Sequence, residues 1–136
     1  MSLSQLFQGI RGAISNWLVR QLEAAHDRKP GEGFAGMDLH GFALNGMMDL
    51  RGMDMRGTNL SCTILKGQDL TDADMRGADL RGADLTDARL SGANLMHAIT
   101  DQDTLISDHQ LRQAVNGDQL LCVNGLEDPQ LPKPEC

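Results

Sequence analysis

Met75-Arg-Gly-Ala-Asp-Leu80-Arg-Gly-Ala-Asp-Leu85 repeats itself after five residues, and that period decides the fold. Working outward, an apolar residue returns at every fifth position: Leu50, Met55, Leu60, Leu65, Leu70, Met75, Leu80, Leu85, Leu90 and Leu95. Two residues before each stands Met48, Met53, Thr58, Thr63 or Gln68, and then alanine from Ala73 to Ala98. Asp or Asn mostly fills the position between, and Gly mostly follows two after. Five matches neither the 3.6-residue period of a helix nor the two of a flat strand. A Gly in most windows costs a helix about 1 kcal/mol each, whereas Gly at fixed spacing permits positive φ and regular turning. These constraints agree on a solenoid whose sides are five residues long, with two positions of each facing inward. Stacked sides then pair backbone to backbone at about 4.8 Å.

The A-(D/N)-L-x-G signature resembles the pentapeptide-repeat family over roughly Phe34 to Thr100. That resemblance implies an all-β solenoid, a right-handed quadrilateral β-helix with four windows per coil, its central Leu or Phe and the small residue two before it facing inward. The register runs upstream through Leu44, Leu39 and Phe34. Leu44 to Leu50 is six residues, so one extra residue lies within Asn45–Asp49. A bulge is the structural reading and a small binding protrusion the alternative. Thirteen windows and a degenerate fourteenth at Thr100 predict a short rod of about 3.5 coils, ~17 Å long. Met37, Phe42, Met48 and Met53 occupy the inward small position at the start, which predicts wider or repacked first coils. Gln68 is expected to face inward and to need hydrogen-bond partners.

A solenoid exposes its bore and unpaired backbone at each end, so caps are expected. Residues 1–29 read as an N-terminal amphipathic capping α-helix, with Leu3, Leu6, Phe7, Ile10, Ile14, Trp17, Leu18 and Leu22 at helical spacing. Pro30-Gly31 ends it, and residues 30–100 form the β-helix. Phe7 and Trp17 are the candidate contacts of this helix, either as a cap or in a homodimer. A membrane-surface role is the alternative, but Glu23 and Asp27 dilute its basic residues. Residues 101–123 form the C-terminal cap, with a short α-helix from Ser107, its N-cap, to a stop at Asn116-Gly117. Residues 124–136 form a Pro-rich, solvated tail, extended or disordered, with a weak polyproline match at Pro129-x-x-Pro132.

Chemistry is thinly represented. The chain has 136 residues, 3% aromatic, with 12 Lys+Arg against 19 Asp+Glu and a net charge of −7. That balance opposes direct nucleic-acid binding. The charge is +1 over residues 1–33 (four basic, three acidic), −3 over 34–100 (six, nine) and −5 over 101–136 (two, seven). His26, His40, His97 and His109 form no metal-ligand pair with each other or with cysteine, so no metal and no cofactor are expected. Cys62, Cys122 and Cys136 show no C-x-x-C spacing. The expectation is a cytoplasmic protein with free thiols; a Cys122–Cys136 bridge, the alternative, needs an oxidising compartment. A reactive Cys62 would need a neighbour that lowers its pKa, and none is evident. No signal-peptide pattern opens the chain, and no stretch approaches the ~18 apolar residues of a membrane span. The glycines belong to the repeat rather than to a phosphate loop.

With no cleft expected in a closed rod, the reading is non-enzymatic: a protein-interaction or scaffold module with an unidentified protein partner. The candidate surface is Asp54, Arg56, Asp74, Arg76, Asp79 and Arg81: Asp54 stacks on Asp74 and Arg56 on Arg76 on one face, and Asp49 stacks on Asp69. The alternative is a solvated checkerboard of weak ion pairs, Asp49/Arg51, Asp54/Arg56 and Asp79/Arg81 among them. The resemblance also implies an alternative, since some family members imitate B-DNA and bind type II topoisomerases such as gyrase. Against it, the excess negative charge lies mostly beyond the repeats, in residues 101–136, and 3.5 coils match only about five base pairs at 3.4 Å per step. A membrane-peripheral adaptor using the N-terminal helix is the remaining alternative.

Overall fold

The computed structural model describes residues 33–45, 49–123 and 134–136. The helix expected over 1–29, with Phe7 and Trp17, and the tail as far as Lys133 lie outside the described residues. From Phe34 to Leu95 the described windows each bury their central side chain, none more than 2% exposed. The alanines from Ala73 to Ala98 are buried beside them. Met37, Phe42 and Met53, too large for that small position, stay half-buried, whereas Thr58 and Thr63 are fully buried. Their hydroxyls are satisfied, donating to the Phe34 carbonyl at 2.7 Å and the Leu39 carbonyl at 3.1 Å. Gln68 is buried as expected, and among the described residues no buried side-chain N or O lacks a partner.

One turn geometry joins the windows. The N–H three residues beyond the central one donates back to its carbonyl, as Thr58 does to Met55 at 3.2 Å and Ala78 to Met75 at 3.0 Å. The residue before that N–H has positive φ in all described windows from Phe34 to Leu95: eight are glycines, and Cys62, Asp72, Asp87 and His97 have φ of 56–59°. Positive φ at the third residue makes this a type II turn, which explains the Gly spacing. Where Asp or Asn precedes the centre, it closes the turn from outside. Its Oδ1 accepts the N–H two residues on, at 3.1 Å for Asn59–Ser61, 3.0 Å for Asp69–Thr71 and 2.9 Å for Asp84–Thr86.

Parallel bridges link residues 20 apart, from Asp54 with Asp74 to Asp79 with Ile99. Twenty is four five-residue windows, so the coil has four sides. The pairs Asp38–Asn59 and Ala43–Ile64 are 21 apart, which puts one extra residue between Leu44 and Leu50, where the six-residue spacing placed it. The conformation at residues 46–48, bulge or protrusion, lies outside the described residues. Asp84–Leu105 and Asn94–Val115 are also 21 apart. A second extra residue, not expected from the sequence, therefore lies between Ile99 and Leu105.

Beyond the repeats, strand β1 (Ile99–Asp101) pairs in parallel with β2 (Leu121–Val123), Ile99 opposite Leu121. Between them lies helix α1, Asp108–Gln113. Ser107 caps it: Ser107 Oγ accepts the Gln110 N–H at 3.3 Å while Gln110 Oε1 accepts the Ser107 N–H at 2.9 Å, a capping box. Gln110 Nε2 donates to the Leu85 and Ala88 carbonyls at 2.7 and 2.8 Å, which fixes α1 on the coils. The expected stop at Asn116-Gly117 is corrected: the helix ends at Gln113, because Ala114 is extended and Val115 enters the ladder opposite Asn94.

The cysteine expectations are corrected as well. Cys62 and Cys136 are joined by a disulfide, with Cα atoms 5.3 Å apart, and Cys122 is free and exposed. The bridge closes on Cys62, 74 residues away, rather than on Cys122. Residues 134–136 are therefore fixed against the coils instead of trailing in solvent.

Candidate functional site

The repeat Asp, already bound to a backbone N–H, has a second oxygen to offer. Where Arg follows two residues later, the guanidinium folds back onto it as a fork. Arg56 Nε donates to Asp54 Oδ1 at 2.9 Å and Nη2 to Oδ2 at 2.7 Å; Arg76 does the same to Asp74 at 2.8 and 2.6 Å. Both pairs stand on one face, because Asp54 is bridged to Asp74. Arg56 Nε also lies 3.9 Å from Asp74 Oδ2, tying one coil to the next. The two arginine side chains are about half exposed. The fork uses their inner edge and leaves the outer edge of each guanidinium for a further acceptor.

Asp79 and Arg81 form the same fork, at 2.9 and 2.6 Å, but on the neighbouring face, where Asp79 is bridged to Asn59 and Ile99. Arg81 is buried, its side chain 9% exposed, so it offers little to a partner. The structure thus gathers four of the six candidate residues and sets the other two apart. Asp49 and Arg51 make a further fork at 2.9 and 2.7 Å, fully at the surface. The electrostatics follow the forks. The Arg51 fork lowers the Asp49 carboxyl to about 2, and the forks from Arg56 and Arg76 hold Asp54 and Asp74 below the usual carboxylate range.

A second cluster was not recognised in the sequence. His40 Nε2 donates to the Glu135 carbonyl at 2.9 Å, and its Nδ1 is 2.7 Å from Ser61 Oγ. Ser61 Oγ in turn is 2.6 Å from Asn59 Oδ1. Only the 20- to 21-residue coil spacing brings His40, Ser61 and Gly82 together.

A shallow depression of about 550 Å³ lies between Thr86–Arg89 and α1, with Ser107, His109 and Gln113 at its edge. His109 Nε2 there is 3.0 Å from Gln113 Nε2. Among the described residues, no group of three or more His, Cys, Asp or Glu side chains is placed to hold a metal ion, and no helix is long and apolar enough to cross a membrane.

The sequence profile of pentapeptide repeats matches residues 48–77 and 69–99, with eight copies. No curated protein matches the chain. Among solved structures, a pentapeptide repeat protein from Nostoc Pcc 7120 is 35% identical over 68% of this chain and 78% of its own, with a TM-score of 0.49. A pentapeptide repeat protein from the thylakoid lumen of Arabidopsis thaliana is 30% identical over 55% of this chain and 58% of its own, with a TM-score of 0.19.

Proposed function

Because the chain belongs to the pentapeptide-repeat family, whose fold is a right-handed β-helix solenoid, we propose that it acts as a non-enzymatic interaction module. One flat side binds a protein partner. The observation that carries this reading is the cross-coil ladder of Asp54, Arg56, Asp74 and Arg76. Each aspartate holds its arginine in a single geometry, so little side-chain freedom remains to be lost when a partner docks. A partner presenting carboxylates or backbone carbonyls suits the outer guanidinium edges. In this reading the repeats themselves wind about 3.5 coils at the strand spacing, and the protein works in the cytoplasm.

The topoisomerase alternative wants an unbroken acidic column in the manner of a phosphate backbone. In this chain Asp54 and Asp74 are each neutralised by their own arginine, which favours the protein partner instead. The test is affinity capture from the native cell with the full chain against an Arg56→Ala/Arg76→Ala double variant. Surface pairs of this kind contribute at most about 1 kcal/mol each, so the variant should fold, as circular dichroism will verify. A partner kept by the parent and lost by the variant supports the proposal. Identical captured sets reject this face.

A further inference from the structure

We propose that Cys62 and Cys136 are a redox-active pair which a dithiol reductant opens, so that residues 134–136 are latched to the coils only in the oxidised state. The latch lies along one corner of the solenoid. His40, Ser61–Cys62 and Arg81–Gly82 follow one another there from coil to coil, since Asp38 is bridged to Asn59 and Asn59 to Asp79. Val123 pairs with Asp101 near the same corner. Glu135 and Cys136 stand at that corner too, beside His40 and Cys62.

Three local features point to a purpose-built seat for the bridge. Cys62 has φ of 56° at a position that is otherwise Gly, Asp or His among the repeat windows. Asp and His are among the side chains that tolerate this conformation best, and Cys is not. The residue one coil on is Gly82, where an added Cβ would stand 2.8 Å from Cys136 Sγ. Glycine there leaves the space the sulfur fills. A hydrogen bond from His40 Nε2 to the Glu135 carbonyl joins the disulfide in holding 134–136 to the coils.

The exchange balances. A thiolate of the reductant attacks Cys136 Sγ, the exposed partner; the S–S bond breaks and Cys62 leaves as thiolate and takes a proton. The second thiol of the reductant then attacks the mixed disulfide, closes its own disulfide and releases Cys136. Two electrons and two protons pass from the dithiol to the chain, and an oxidised dithiol protein reverses the step. In a reducing compartment, disulfides of this transient kind are the ones that occur.

The test counts maleimide-reactive thiols on the folded full-length chain isolated without reductant, and again after treatment with dithiothreitol and its removal. The expected count rises from one, Cys122, to all three cysteines. A non-reduced digest should yield the Cys62 peptide joined to the Cys136 peptide. Cys136→Ser, which leaves the coils untouched, should give two reactive thiols with or without reductant. Labelling of Cys62 and Cys136 before reduction, or a bridge found on Cys122, overturns the proposal. So does a bridge that dithiothreitol opens only after denaturation, which would make it a fixed staple.

Discussion

At the scale of single residues, the backbone makes the demands and the side chains answer them. Every turn needs a residue with positive φ, which costs an ordinary side chain roughly 1–2 kcal/mol. His97 carries φ of 58° with its ring exposed. His97→Gly should therefore stabilise the protein by about 1 kcal/mol in urea denaturation, and no gain would show that the ring makes a compensating contact. The glycines announced these turns by their spacing. The neighbouring Asp and Asn did not, because their partner is a backbone N–H two residues away and leaves no mark in the sequence. They read there as a checkerboard of surface charge, whereas their first task is to close the turn. The Cys62–Cys136 contact was hidden for a related reason. It joins residues 74 apart, and no local pattern in the sequence links positions so distant.

At the scale of the elements, a five-residue side is stable only through what it buries. Leu80 is wholly buried, while Leu105, one place off the central position because of the second extra residue, is 53% exposed. Leu80→Ala should cost about 2–5 kcal/mol and Leu105→Ala no more than about 0.5 kcal/mol, both read by thermal unfolding. Equal losses would contradict this register. Helix α1 depends on one amide. Gln110→Ala removes the side-chain half of the capping box, the bond from the Ser107 N–H, and the two bonds to Leu85 and Ala88, so a loss of about 1–3 kcal/mol is expected. Unchanged stability would show that α1 is held by other contacts. The start of this helix was readable from Ser107 and Gln110. Its end was not, since Asn116-Gly117 has the chemistry of a helix stop but serves a later turn, after Val115 has rejoined the ladder.

At the scale of the whole molecule, acid and reduction test the surface and the cross-link separately. Asp49, Asp54 and Asp74 have lowered carboxyl pKa values because of their forked arginines, Asp49 to about 2. Their contribution is complete above the ordinary value of 3.8 and is lost as pH falls through the lowered ones. Thermal stability, as far as these groups set it, should hold down to about pH 4 and decline toward about pH 2. The decline should be modest and weaker in high salt, because the pairs face solvent. A steep fall above pH 4 would point to other groups. Closing a loop of 74 residues restricts the unfolded chain, so Cys136→Ser should lower unfolding stability by up to about 4 kcal/mol under oxidising conditions and by nothing under reducing ones. The fold at this scale was the most legible of all, since a strict period admits few shapes. The later extra residues escaped, one between Ile99 and Leu105 and another between Val115 and Leu121, whose partner Ile99 is 22 residues away, because after Thr100 the pattern that would have marked them is gone.

The 20-residue separation of bridged neighbours also governs how such a chain can lengthen or shrink over evolutionary time. Losing a single five-residue unit would rotate everything downstream by a quarter turn, scattering the arginine ladder around the axis and pointing Gly82 away from Cys62. Losing four together would shorten the stack by one storey and leave every face aligned. Gene rearrangements in this chain should therefore survive in blocks of four units, while solitary additions persist only as the small extra loops already present in two of its storeys.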